Sequence, residues 1–360
     1  MTQAVALAQQ ASTGVSQGFK NRIINGAMTI DQRNAGASVA GTNGNYVVDR
    51  FLLFLTQNGK LTGQQNAGSV TPPVGFSNYL GITSSSAYSV VSGDILVIRQ
   101  GIEGFNIADL NWGTANAKTV TLSFWVRSSG LTYPATFGGS LANGSSDRSY
   151  PFSYTISSAN TWEQKSITIT GDTTGTWATN NTGGIYLNIG LGVGSTYAGT
   201  AGSWSASNLF SATGATSVVG TNGATFYITG VQLEVGSTAT SFDYRPYGTE
   251  LGLCQRYYWR ISNDAFAYFA GKQQGTTQCY FTVQAPVSMR ATPTPTMGAG
   301  TKYAFTQGGF SSSTSTTVTL ASISNNYIYM SLLLGGFSGL ADNYVANFRP
   351  DATLELSSEL

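Results

Sequence analysis

Apolar and polar residues alternate with a period of two along most of this chain. In TVTLSFWVR, Val120, Leu122, Phe124 and Val126 fall on one side and Thr121, Ser123, Trp125 and Arg127 on the other, the pattern of a strand with one buried face. Ile167 and Ile169 alternate with Ser166, Thr168 and Thr170, and Ile185, Leu187, Ile189 and Leu191 with Tyr186, Asn188 and Gly190. In TFYITGVQLEV the apolar phase slips between Ile228 and Val231, at Thr229-Gly230. One extra residue at a glycine predicts a β-bulge there. Further strands are expected over 47–55, 95–100, 151–156, 257–261, 278–284 and 327–333, and no segment past residue 18 carries a helical stripe. Many short strands with glycine-rich turns predict an all-β chain, an antiparallel jelly-roll sandwich followed by a smaller β-sandwich.

The internal boundary is placed at FDYRPYG, residues 242–248. It divides the chain into a short N-terminal helical or extended segment (1–18), a jelly roll (19–247) and a small C-terminal β-sandwich (248–360). RATPTPTMGAG reads as a Pro/Gly loop, because alternate prolines cannot donate to a central ladder. The Ser/Thr run 311–319 is low in complexity, with Val318 and Leu320 opening an edge strand at its end.

Composition narrows the function. Charged residues make up 9% of the chain, against roughly 25% in an average globular domain. There is no histidine, which removes Ser-His-Asp and Cys-His nucleophile systems, a histidine base and imidazole metal ligands. A net charge of +1 gives no grip on phosphate, so no nucleic-acid partner is expected. Two cysteines, Cys254 and Cys279, are too few for a disulfide scaffold or a four-ligand zinc site. Each lies in an apolar stretch and reads as a buried free thiol, with a mutual disulfide as the alternative.

MTQAVALAQQAS lacks the basic and apolar regions of a signal peptide, and no later stretch is long enough to span a membrane. Synthesis in a cytoplasm without classical export or membrane insertion is expected. Ala4, Leu7, Ala8 and Ala11 fall on one helical face, and two readings stand: an anchor that binds other proteins or starts an oligomer bundle, and a frayed tail.

Particular strings carry a family resemblance. FKNRIINGAMTIDQRN followed by YVVDRF, QGIEGFNIADLNWGTANAKTVTLSFWVRSS with TWEQKSITITG, and GVQLEVGSTATSFDYRPYGTELGLCQRYYWR resemble a module of tail-fibre and other virion surface proteins of tailed bacteriophages. VSMRATPTPT and the terminal ATLELSSEL are similar to the short domain that often follows it. The resemblance spans residues 19–360. It implies a carbohydrate-binding-module-like jelly roll plus a small β domain in a phage particle, and it assigns no catalytic or binding residue.

A glycosidase needs two carboxylates about 5–10 Å apart across a cleft, and Glu103 with Asp109 is the candidate pair. Any chain with 16 acids offers such pairs, so no enzymatic activity is expected and no catalytic residue is assigned. GLGVGS, residues 190–195, lacks the spacing and the Lys-Ser/Thr of a phosphate loop and reads as a glycine-kinked strand end. No Asp-rich loop signals a Ca²⁺, and no cofactor or metal is expected. Asp243, Arg245 and Tyr247 in FDYRPYG read as a structural junction, with Arg245 pairing a carboxylate or backbone carbonyls.

Aromatic residues are the stronger signal, since flat rings stack on sugar C–H patches while amides take the hydroxyls. Trp112, Trp177 and Trp204 lie in the polar strings NWGTAN, GTWATNN and GSWSASN, and Trp125 shares the polar side of its strand, as Tyr186 and Asn188 do of theirs. If those two strands are neighbours, their aromatics and amides form one carbohydrate-binding surface. The alternative is that the tryptophans cap the sandwich and Trp125 packs under a loop or against a second subunit. The expected function is a non-enzymatic virion surface protein, a short tail fibre or receptor-binding protein on host glycan. Its expected partners are sister subunits in a homotrimer and other virion proteins through the N-terminus. A capsid decoration or head-fibre protein is the alternative, and a depolymerase the third reading.

Overall fold

The computed structural model describes residues 19–261, 269–306, 309–338 and 345–360. Ala4, Leu7, Ala8 and Ala11 of the anchor reading lie outside the described residues. The chain divides into two compact units, Met1–Tyr247 and Gly248–Leu360.

The first unit is a jelly-roll sandwich of two six-stranded antiparallel sheets. One sheet runs, edge to edge, Val39–Ala40, Leu61–Gln65, Leu80–Ser84, Thr225–Val235, Val120–Ser129 and Glu163–Ile169. The other runs Tyr46–Val48, Phe51–Leu55, Ile95–Glu103, Gly183–Val193, Ala135–Asn143 and Ser149–Ile156. The inward alternates of both sheets build one core. Val120, Leu122, Phe124 and Val126 join Leu53, Ile98, Ile185, Leu187 and Ile189 in it, and Phe137 meets Phe226 with ring centroids 5.6 Å apart. Period-two alternation therefore reports directly which side of each strand leaves water.

The phase slip in TFYITGVQLEV is a bulge within strand Thr225–Val235, where the register against Val120–Ser129 shifts between Thr229 and Gln232. Gly230 takes a left-handed φ of 62°, and a Cβ there would meet the Phe76 ring at 2.6 Å. Gly230→Ala is therefore expected to cost about 2–4 kcal/mol, from strain plus displacement of Phe76. Urea unfolding of the variant measures it.

Three expectations are corrected. The stretch 47–55 is two strands, because Asp49 and Arg50 are buried in a turn and Arg50 has φ 71°. A helix, Tyr247–Gln255, forms where none was expected; it is nine residues long and only Cys254 is buried in it. Within RATPTPTMGAG, Thr294–Met297 is a strand that, among the described residues, pairs with Leu354–Ser357 alone. As an edge strand, it tolerates the missing N–H of Pro295.

The second unit pairs a seven-stranded sheet with a three-stranded one. The larger runs Gly309–Ser313, Lys302–Thr306, Val345–Pro350, Phe269–Gln274, Gln278–Gln284, Tyr329–Leu334 and Val318–Ile323. The Ser/Thr-rich strands are its two edges. The smaller runs Tyr258–Ile261, Leu354–Ser357 and Thr294–Met297. Their shared core holds Phe281, Phe348, Leu332, Leu354 and Leu356, with Phe281 stacked on Phe348 at 4.1 Å.

Candidate functional site

The six residues singled out as carbohydrate-binding fall in three places. Trp112, Trp177 and Trp204 do converge, but on each other. Their ring centroids lie 4.7, 5.3 and 5.4 Å apart at interplanar angles of 76–81°, and Tyr150 adds an edge contact to Trp204 at 5.3 Å. Trp112 and Trp177 are 6% and 8% exposed. Every indole N–H is satisfied by backbone: Trp112 donates to Lys118 O, Trp177 to Thr174 O and Trp204 to Thr170 O. Trp112 and Trp177 are buried and Trp204 is half-buried against them, and three rings packed edge to face on one another form a structural cap rather than a flat platform for a sugar. Beside it Arg148 makes a bidentate pair with the buried Asp172, at 2.7 and 2.8 Å. Burial alone would raise the Asp172 carboxyl; the bonds from Arg148 and Thr174 outweigh it and hold the group below its ordinary value.

Trp125 and Tyr186 do not share a surface. Trp125 is on strand Val120–Ser129, opposite Gln164 and Thr229, and Tyr186 is on strand Gly183–Val193 of the other sheet. Both side chains alternate outward, and the two sheets pack face to face, so they face away from each other.

Tyr186 and Asn188 belong instead to the outward face of the second sheet, where they meet residues that the sequence reading passed over. A cross-strand row runs Leu52, Arg99, Asn188, Ser140 and Pro151. The Arg99 guanidinium carbon stands 4.0 Å from the Phe54 ring centroid, 5.0 Å from Tyr186 and 5.1 Å from Phe210. Its Nε donates to Asn188 Oδ1 at 2.8 Å. Asn188 Nδ2 donates to Ser140 Oγ, and Ser140 to Leu209 O. Asn188 is wholly buried with its amide engaged, so it positions Arg99 and cannot itself take a sugar hydroxyl. Strand Ser211–Ala212 covers the far half of this face, lying so close over Gly138 and Gly190 that a Cβ on Gly190 would meet Ser211 Oγ at 2.9 Å. The near half, with Leu52, Phe54, Arg99 and Tyr186, is only half-buried. Burial pushes the Arg99 guanidinium down to about 10. The one available sequence signal was parity: in ILVIRQGIE, Arg99 shares the outward side with Ile95 and Val97.

The FDYRPYG segment closes the first unit on its own beginning. Arg245 donates to the carbonyls of Asn21 and Ile23 and lies 4.8 Å over the Phe19 ring. Asp243 accepts from the Asn21 N–H at 3.1 Å and donates through its own N–H to Gln232 Oε1 at 2.8 Å. The Asn21 amide in turn bridges Val231 O and the Leu233 N–H. The motifs FKNRIING and FDYRPYG are thus the two halves of one clasp. Tyr247, the third residue assigned to the junction, is 62% exposed and among the described residues makes no hydrogen bond to this clasp.

The two acids of the candidate pair each have a structural setting. Asp109 is ion-paired to Arg22 at 2.6 Å, and Glu103 is buried at the end of its strand. Cys254 and Cys279 are buried free thiols, and burial pushes Cys279 up to about 11. Among the described residues no group of three or more Cys, Asp or Glu side chains could hold a metal ion.

No protein-family model and no curated protein matches the sequence. Solved structures to which the chain is similar include the xylan-binding CBM22-1 domain of Xyn10C from Paenibacillus barcinonensis, at 9% identity and TM-score 0.28, covering 62% of this chain and 100% of that one. A family 11 carbohydrate-binding module from Clostridium thermocellum, in complex with a β-1,3-1,4-mixed-linked tetrasaccharide, is 11% identical with TM-score 0.28, covering 56% and 98%. The enzymatically active domain of bacteriophage CBA120 tailspike protein 4 is 12% identical with TM-score 0.32 over 60% of this chain, which spans 22% of that chain's length.

Proposed function

We propose that this chain is a non-enzymatic surface protein of a tailed-phage particle, a short tail fibre or receptor-binding protein that contacts host glycan. The observation that carries the glycan reading is the open half of the second sheet's outward face. There the Arg99 guanidinium lies over the half-buried Phe54 and Tyr186 rings, its carbon 4.0 and 5.0 Å from their centroids. Rings for C–H stacking beside fixed donors are what a sugar site requires, without catalytic machinery. The motif strings of residues 19–360 support the virion setting, in which the chain would act as a homotrimer with its N-terminus toward the particle. The engaged state of Asp109 and the burial of Glu103 support the absence of catalysis. Purified protein should bind host cells or a glycan array, and Tyr186→Ala should weaken that binding about 10-fold. No glycan binding at all, or an unaffected variant, overturns the site.

One observation favours the alternative, a capsid decoration or head-fibre protein. In the second unit Phe310 is 64% exposed and clusters with Tyr303 and Phe305, which Arg349 overlies at 4.5 and 5.5 Å. Such an exposed aromatic group suits a contact with a sister subunit. Immunogold labelling of intact particles, at tail tip or on the capsid, decides between the two.

A further inference from the structure

We propose that the glycan bound at this face is acidic, with a sugar carboxylate taken by Arg99; the inference rests on the glycan reading above and names its ligand class. The argument begins with charge. In a chain this poor in charge, Arg22, Arg33, Arg148, Arg260 and Arg349 each lie within 4 Å of a carboxylate. Arg99 has none among the described residues: its one hydrogen-bond partner is the neutral Asn188 amide. A guanidinium drawn out of water without a counter-charge is costly. Contacts with three rings offset part of that cost, and burial still pushes the group down from its ordinary value.

The donors that remain are placed for a planar anion. Nε is committed to Asn188, which Ser140 and then Leu209 O hold in turn, so the plane of the guanidinium is fixed. Among the described residues the two Nη groups make no hydrogen bond, and neither is an enclosed polar atom without a partner, so they reach solvent. A fixed plane with its outer edge open presents the fork that pairs two N–H groups with both oxygens of a carboxylate. The guanidinium carbon lies over the Phe54 and Tyr186 rings, 4.0 and 5.0 Å from their centroids, so the sugar that carries the acid would come to rest against these two half-buried side chains. The simpler alternative, that Arg99 only covers Ile95 and Val97 and glues three rings together, uses the stem and the π contacts but gives no use to the open edge.

The test is a glycan array of the full chain that pairs each uronic-acid oligosaccharide with its methyl ester, a neutral oligosaccharide of equal length and a sulfated one. Calorimetry on the best pair then supplies the affinities. The acid is expected to bind about 10- to 100-fold more tightly than its ester. Arg99→Gln should bring the acid down to the ester's affinity, and Arg99→Lys, which keeps charge but not the fork, should recover only part of the difference. Should Arg99→Gln fail to fold, the acid-to-ester ratio in the native chain and in Arg99→Lys carries the comparison. Equal binding of acid and ester overturns the acidic-sugar inference while the glycan reading stands. Binding of sulfated sugars alone overturns the carboxylate assignment. Binding of nothing on the array overturns the glycan reading itself.

Discussion

Replacing Trp112 by alanine is expected to lower the stability of the first unit by about 3–5 kcal/mol, the range for removing a large buried ring. Glycan binding at the Arg99 face should stay unchanged wherever the variant is folded. Trp112 is the ring common to the shortest pair in the cluster, 4.7 Å from Trp177, and it also touches Trp204. Its loss strips an edge-to-face partner from both and leaves the Lys118 carbonyl without its indole donor. Edge-to-face ring pairs contribute about 0.5–1.5 kcal/mol each beyond their burial, so the effect should sit in the upper part of that range. Guanidinium unfolding followed by tryptophan fluorescence measures it, with the glycan array run on the same preparation at a temperature where the variant is folded. A variant that is as stable as the parent but no longer binds glycan would return the three tryptophans to the role of a sugar platform.

That cluster also shows what a sequence of this kind conceals. The strands were legible because a sandwich strand has one wet and one dry side, so Val120, Leu122, Phe124 and Val126 announce their burial locally. The bulge at Gly230 was legible for the same reason: the phase itself changed. Trp112, Trp177 and Trp204 sit in strings rich in Gly, Asn, Ser and Thr that read as wet loops. Their packing on one another comes from three loops meeting across sequence separations of 27 to 92 residues, which alternation does not encode. Parity likewise told that Trp125 and Tyr186 point outward, but not that their strands belong to opposite sheets. Arg99 and Asn188 are 89 residues apart, and the charge that the site depends on became visible only when their strands were paired. The helix Tyr247–Gln255 is too short, with too little buried surface, to impose a stripe. The scarcity of charge keeps its meaning throughout: with so few ionic groups, those that the fold draws out of water each occupy a defined place.

Asp172→Ala is the second large effect expected, about 3–5 kcal/mol of destabilisation, because it leaves Arg148 without its partner in a largely buried site. The Asp172 side chain is 2% exposed and that of Arg148 16%. The same carboxylate also accepts from the Thr174 N–H at 3.1 Å and its hydroxyl at 3.0 Å, so the truncation strands donors on two residues. Its pH dependence follows from the direction of the shift. The folded carboxyl is held below the value of about 3.9 that an unfolded aspartate shows. The stability it contributes is therefore present at and above about pH 5 and is lost as pH falls through the folded value, where the native state must take up the proton. Asp172→Asn, close in shape but without charge, should then be much less stable than the parent at neutral pH, and the gap should narrow steadily as the pH falls below about 5. The Asp172→Asn variant keeps some acid sensitivity from Asp94. Burial alone would raise that carboxyl, but bonds from the Val91 N–H, Tyr88, Gln57 and Thr56 outweigh it and hold the group low. The variant's own acid limb should therefore be shallower than the parent's, not flat. A gap between parent and Asp172→Asn that stays constant across this window, measured by thermal unfolding at each pH, would mean that the pair acts through shape alone and not through charge.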